Sequence, residues 1–171
     1  MPTAYAELHA LSNFTFLRGA SHPDELIEQA DALGYRALAL TDECSVAGVV
    51  RAHVAARGRA LRCVVGTEIR LLDGPTLVLL ATDRAAYGRL CGLITQGRRA
   101  APKGQYRLSR ATIEQTNLDG CLALWPAPLE ATAAEAAWLR ARFGTDAAIA
   151  VELRADGRDR ARLELLSLIH I

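Results

Sequence analysis

The sequence predicts an α/β fold, in which short strands alternate with longer helices around a mainly parallel sheet or barrel. The apolar runs provide the first observation: YRALALTD (35–42) is apolar on both faces, as buried parallel strands are. The segments between these runs provide the second, because they have helical periodicity. In the segment 21–34 the residues that share one helix face are Leu26, Ile27, Ala30 and Leu33.

The predicted elements follow one another along the chain. Strands are expected at 4–9, 35–42, 61–72, 75–82, 121–126 and 146–153, and helices at 21–34, 45–57, 83–96 and 129–144. Ser21 is predicted to cap the first helix and Pro23 to occupy its first turn, while Gly34 ends it. Gly66 is predicted to form a turn between or within the third and fourth strands.

Composition excludes several functional classes. Twenty basic and nineteen acidic residues give a formal charge of +1, so net charge provides no footprint for nucleic acid or an anionic membrane. The one cationic cluster, residues 97–110, is either a solvated loop or a contact to a phosphate backbone.

The four cysteines form no CxxC pair, which predicts free thiols. No apolar stretch is long enough to span a bilayer, so we expect no membrane partner and a cytoplasmic protein.

Polar side chains stand near the predicted ends of successive strands. His9 ends the first strand, Asp42 ends the second, and Glu68 lies in the third. Because functional groups in βα architectures gather at the C-terminal ends of strands, these three residues are candidates for one site. Each also has an ordinary explanation: a histidine satisfied by a backbone carbonyl, an aspartate that caps a helix, and a glutamate in a surface turn.

Four segments together carry a resemblance to a known family. They are ELHALSNFTFLRGAS (7–21), ALALTDECSVAGVVRAH (37–53), CVVGTEIRLL (63–72) and TLVLLATDRAAYGRLCGLIT (76–95). In order and spacing they resemble the polymerase and histidinol phosphatase (PHP) domain of bacterial C-family DNA polymerases, and the first two resemble its error-prone branch. The resemblance implies a PHP barrel of about seven βα units, here incomplete, with up to three divalent metals at one end.

The sequence departs from the metal ligands that the resemblance implies. In members of the family with an active site, the first motif is His-x-His, the first loop ends in Asp-Gly, and the second strand ends in Thr-Asp-His. The corresponding residues here are His9-Ala10-Leu11, Arg18-Gly19 and Thr41-Asp42-Glu43, and a fourth-strand histidine falls near Pro75 and Thr76. Leucine has no lone pair to give a metal, and arginine carries a permanent positive charge. We therefore expect no catalytic residues, and we interpret His9, Asp42 and Glu68 as the remnants of a metal site that retains one weakly held metal or none.

The resemblance also implies a domain organisation and partners. Residues 1–165 are expected to be a C-terminally truncated PHP domain, and LSLIHI (166–171) matches the translation of a sequencing adapter. The full-length polymerase of this family would use Mg²⁺ and would bind DNA and deoxynucleoside triphosphates through downstream domains. Accessory mutagenesis proteins and a sliding clamp are further candidate partners.

Two alternatives remain open from the sequence. One is a free-standing, metal-dependent PHP phosphoesterase of the histidinol phosphatase type, which Leu11 and Glu43 argue against. The other is a protein-interaction module, for which the sequence indicates no contact surface.

Overall fold

The protein is described here from a computed structural model that covers residues 4–153 and 155–167, with side chains through residue 164. Its strands are β1 (Ala6–Ala10), β2 (Ala37–Leu40), β3 (Arg62–Arg70), β4 (Thr76–Ala81), β5 (Cys121–Pro126) and β6 (Ala147–Ala150). Its helices are α1 (Pro23–Ala32), α2 (Val49–Ala56), α3 (Arg84–Arg99), α4 (Arg110–Gln115), α5 (Ala133–Phe143) and α6 (Asp159–Ser167). A short 3-10 helix, Gly144–Asp146, precedes β6.

The six described strands form one curled sheet in the order β1-β2-β3-β4-β5-β6. The β1–β2, β2–β3 and β5–β6 pairs are parallel, whereas β4 is antiparallel to both of its neighbours. The predicted α/β class is confirmed, and the sheet is an open half-barrel. The third and fourth strands follow each other without a helix, as the sequence predicted, and they pair as an antiparallel hairpin.

Gly66 lies inside β3 and not in the turn that the sequence suggested, since the hairpin turn follows residue 70. A Cβ atom at this position would stand 2.6 Å from the Leu80 side chain and 2.7 Å from the Leu79 carbonyl oxygen. Glycine is therefore required by the close approach of the β4 backbone.

The helices cover one face of the sheet. Ile27 of α1 and Val49 of α2 pack with Leu38 and Leu40 of β2, and a larger cluster joins α3 and α5 to β3, β4 and β5. Side chains that alternate with these point to the opposite face, where Ala39, Val78 and Leu80 form a small apolar cluster. This opposite face is the inner face of the half-barrel.

The ends of several elements differ from the predicted ones. The N-cap of α1 is His22 and not Ser21, and the His22 backbone N–H donates to Glu25 Oε2 at 2.8 Å. Gly34 follows the helix with a φ of +73°, as a helix-ending glycine should. Strand β5 has the predicted bounds, whereas β6 is shorter than the expected 146–153.

The basic segment 97–110 is only partly a loop. Helix α3 continues through Arg99, and α4 begins at Arg110. Arg98 donates to the backbone carbonyls of Glu43 and Cys44, so this cation has a structural role. The exposed cations of the segment are Arg99, Lys103 and Arg107.

Three further expectations concern the cysteines, the membrane and the C-terminus. The four cysteines are free thiols, and two of them, Cys44 and Cys121, are buried. None of the helices in residues 4–153 and 155–167 is long and apolar enough to cross a membrane. Helix α6 includes residues 166 and 167 of the predicted adapter sequence, and residues 168–171 lie outside the described part of the chain.

Candidate functional site

A solvent-open cleft of about 320 Å³ lies at the edge of the sheet where β1 and β3 end. The parallel strands direct their carboxyl ends to this edge, which brings His9 of β1 beside Glu68 of β3. The remaining lining residues are Arg18, Arg70, Thr76, Pro126 and Glu152. The cleft is therefore the place where the sequence predicted a site.

His9 lies between two carboxylates. Its Nε2 is 2.9 Å from Glu68 Oε2, and its Nδ1 is 3.0 Å from Glu152 Oε1. Burial alone would lower the pKa of His9, but the hydrogen bonds to Glu152 and Glu68 outweigh it and raise the pKa to about 9. This pKa favours the imidazolium form at neutral pH, and a metal would have to displace a proton from the ring to bind it.

Glu68 is the buried anion of the cleft, with a side chain only 2% exposed. Arg18 Nη1 donates to its Oε1 at 2.5 Å and Arg18 Nη2 donates to its Oε2 at 3.1 Å. Burial would raise the pKa of Glu68, but the hydrogen bonds from His9 and Arg18 lower it to about 2. Glu68 is therefore ionised, and two cations balance its charge.

Arg18 also reaches the end of β2. Its Nη1 donates to Glu43 Oε2 at 2.7 Å, so a single nitrogen is shared by the carboxylates of Glu43 and Glu68. The Tyr106 hydroxyl donates to the other Glu43 oxygen at 3.0 Å, and Arg70 Nη2 lies 3.6 Å from Glu43 Oε2. Both oxygens of Glu43 are already engaged with protein groups.

Asp42 has a different role from His9 and Glu68. Its buried carboxylate accepts hydrogen bonds from the Ser12 backbone N–H, the Ser12 hydroxyl and the Thr15 hydroxyl, at 2.7 to 2.8 Å. These contacts anchor the loop between β1 and α1 to the end of β2. The structure therefore brings His9 and Glu68 together, while Asp42 serves the loop that carries Arg18.

The local fold of this loop explains the position of Arg18. The Thr15 backbone N–H donates to the Ser12 carbonyl, and the Arg18 and Gly19 N–H groups donate to the Thr15 carbonyl. A Cβ atom on Gly19 would stand 1.9 Å from the Ser12 carbonyl oxygen, so no side chain fits there. The loop is thereby folded tightly on itself, and the Arg18 side chain extends over the cleft.

Sequence reasoning did not identify Arg70 and Glu152 as residues of the cleft, or Tyr106 as a partner of Glu43. Glu152 could have been predicted, because it lies near the end of the sixth predicted strand and functional groups gather at the C-terminal ends of strands, as His9 and Glu68 do. Arg70 follows Glu68 by two residues and therefore shares its strand face. Tyr106 reaches Glu43 from a loop that is distant in sequence, and no local pattern indicates that contact.

The cleft does not fit a divalent metal. No group of three or more His, Cys, Asp or Glu residues within the described part of the chain could hold one. The Arg18 guanidinium lies where a cation between Glu43 and Glu68 would have to bind, and both ring nitrogens of His9 already face carboxylates. That His9, Asp42 and Glu68 are remnant metal ligands stays a prediction.

Comparison with known proteins identifies relatives over almost the whole chain. Residues 7–166 match the family described as the PHP domain. The error-prone DNA polymerase of Methylococcus capsulatus is 55% identical over 168 residues, and that of Aromatoleum aromaticum is 55% identical over 173 residues. Each alignment covers 96% of this chain and 16% of the relative, so this chain spans about one sixth of these polymerases.

A proposed metal-dependent phosphoesterase from Bifidobacterium adolescentis is a structural neighbour. It is 25% identical, with a TM-score of 0.48, and the match covers 58% of this chain and 35% of the other.

Proposed function

Because the chain belongs to the PHP domain family, we propose that it is the PHP domain of an error-prone DNA polymerase and that it acts there as a scaffold without catalysis of its own. The sequence identity to two error-prone polymerases supports the first half of this proposal. The cleft supports the second half.

The position of Arg18 is the observation that best supports the absence of catalysis in this domain. A metal that activates water needs several neutral or anionic donors at about 2 Å. In the cleft, the carboxylates of Glu43 and Glu68 bind a guanidinium that is permanently charged. Leu11, at a position where the family has a histidine, offers no donor. His9, Asp42 and Glu68 are then the remnants of a ligand set that has been lost.

The rest of the polymerase would supply the chemistry. In this proposal residues 1–165 are one domain, 166–171 are an adapter sequence, and nucleotidyl transfer with Mg²⁺ takes place in domains encoded further downstream. Those domains would bind DNA and deoxynucleoside triphosphates during synthesis across damaged templates, in the cytoplasm. Accessory mutagenesis proteins and a sliding clamp would be the protein partners.

Sequencing the source locus across Leu166 tests the polymerase assignment. The proposal requires an open reading frame of several hundred further codons that includes paired aspartates for two Mg²⁺ ions. A frame that stops within about a hundred codons and supplies a late Asp-x-His would instead support a free-standing phosphoesterase.

An assay with Mn²⁺ tests the absence of catalysis. We expect the purified chain to release neither phosphate from a phosphomonoester nor nucleotides from a DNA 3′ end above the level without protein, because the cleft has no place for the metal. The His9→Ala variant, purified in the same way, is the control for contaminating enzymes. Activity in the wild-type chain that His9→Ala abolishes would overturn the scaffold assignment.

A further inference from the structure

Three separate segments of the chain meet at the guanidinium of Arg18. Arg18 belongs to the loop between β1 and α1, Glu43 follows β2, and Glu68 belongs to β3. The guanidinium contacts both carboxylates, and with Glu68 it forms two parallel hydrogen bonds. A paired interaction of this kind is more directional and stronger than a single contact between charges.

The two carboxylates need a cation between them. Their oxygens bind the same nitrogen, so they lie within two hydrogen-bond lengths of each other. Glu68 is 2% exposed and Glu43 is 22% exposed, which limits screening of their repulsion by water. His9 contacts Glu68 Oε2, and no histidine contact reaches Glu43 among the hydrogen bonds of the described residues.

We propose that Arg18 is a built-in cation that takes the place of a divalent metal ion at this end of the half-barrel. A metal would join the same carboxylates by coordination, whereas Arg18 joins them by hydrogen bonds and needs no loading. The strand ends are thus held together by a cation of the chain itself, independently of metal.

The loop around Arg18 is built to hold that cation in place. The Asp42 carboxylate fixes Ser12 and Thr15, and the Glu43 backbone N–H donates to the Thr15 hydroxyl at 3.0 Å. The loop and the end of β2 are therefore bonded to each other at two loop residues, Ser12 and Thr15, that precede Arg18. A surface ion pair between two flexible side chains would have no such support.

Arg70 is a weaker neighbour of the same carboxylates. Its Nε lies 3.3 Å from Glu68 Oε1, its Nη2 lies 3.6 Å from Glu43 Oε2, and its side chain is 50% exposed. These longer contacts and the greater exposure make Arg70 a matched control, because it carries the same charge in the same cleft but does not bridge the carboxylates closely.

Removing the Arg18 side chain should allow the cleft to bind a divalent metal. Without the Arg18 side chain, Glu68 Oε1 and Glu43 Oε2 would face each other with only the longer contacts of the half-exposed Arg70 side chain beside them, and carboxylate oxygens are ligands that suit Mn²⁺. The Arg18→Ala chain should therefore bind Mn²⁺, although the wild-type chain does not.

Thermal unfolding of the full 171-residue chain in EDTA or in millimolar MnCl2 tests this. We expect no shift for the wild type. For Arg18→Ala we expect a midpoint lower by several degrees in EDTA, and recovery of a large part of that loss in Mn²⁺. Arg70→Ala should show no Mn²⁺ response, and Arg18→Ala combined with Glu43→Gln should lose the response.

Two results would overturn the proposal: stabilisation of the wild type by Mn²⁺ as large as that of Arg18→Ala, or an Arg18→Ala chain that melts like the wild type and ignores Mn²⁺. If Arg18→Ala shows no cooperative transition, Arg18→Gln is measured in its place, because it removes the charge and keeps a hydrogen-bonding side chain. The same Mn²⁺ response is then required, and its absence overturns the proposal.

Discussion

Glu68 determines the protonation of the groups around it. It is the most buried carboxylate of the cleft, and it stays ionised because both His9 and Arg18 donate hydrogen bonds to it. This ionised carboxylate and Glu152 in turn keep His9 protonated. At the scale of single residues, the cleft is a set of mutually neutralising charges, and neither carboxylate nor histidine retains the properties of an open metal ligand.

Replacing His9 should alter the dependence of stability on pH. The pKa of His9 is about 9 in the folded chain against 6.5 in the unfolded chain. Its stabilising contribution is therefore complete below pH 6.5 and is lost as the pH rises through 9. We expect the free energy of unfolding of the wild type to fall by on the order of 2 kcal/mol across this range.

Urea denaturation at pH 6, 7.5 and 9 measures this dependence. His9→Gln should remove most of it, and His53→Gln, which changes an exposed histidine of α2, is measured in parallel as the surface-histidine control. Equal pH dependence in the wild type and His9→Gln would show that His9 is not the titrating group.

The loop between β1 and α1 is the element on which the cleft depends. It has no regular secondary structure, yet Asp42 fixes its start and Gly19 closes it against the Ser12 carbonyl. Leu17 within it has a φ of +65°, a left-handed conformation that leucine rarely adopts. The position of Arg18 is thus set by the packing of the whole loop and not by its own contacts alone.

A pair of glycine substitutions tests the importance of loop closure. Gly19→Ala places a Cβ atom 1.9 Å from the Ser12 carbonyl oxygen, so we expect it to lower the free energy of unfolding by about 1–3 kcal/mol. Gly88→Ala in α3 meets no atom within 4 Å and should raise it by about 0.5–1 kcal/mol, because alanine favours the helix.

Both variants are measured by urea denaturation under the same conditions. A Gly19→Ala chain as stable as Gly88→Ala would mean that the loop can open without loss, and that it does not position Arg18.

For the molecule as a whole, the sequence predicted the class of fold better than it predicted how neighbouring strands pair. Apolar runs defined the strands, and β5 begins and ends where the pattern placed it. The direct succession of β3 and β4 was predicted but their antiparallel pairing was not, because a strand buried on both faces looks the same whether its neighbour is parallel or antiparallel. Gly66 was assigned to a turn for a related reason, since the close approach of Leu79 and Leu80 is a tertiary contact.

The candidate site was predictable to a similar extent. The rule that strand ends converge brought His9 and Glu68 together correctly. The same rule gave no information on side-chain direction in loops, so the sequence indicated only that Arg18 is a poor metal ligand. That its guanidinium bridges Glu43 and Glu68 depends on how the loop folds over β2.

The central claim is that Arg18 closes this end of the half-barrel to divalent metal. Measuring the metal content of the 171-residue chain tests it most directly. The chain and its His9→Ala variant are produced with added manganese and zinc, dialysed without chelator, and analysed by mass spectrometry of the bound metals. We predict far less than one metal ion per chain in both proteins. About one ion per wild-type chain that His9→Ala removes would contradict the claim and would show that the metal site has been retained.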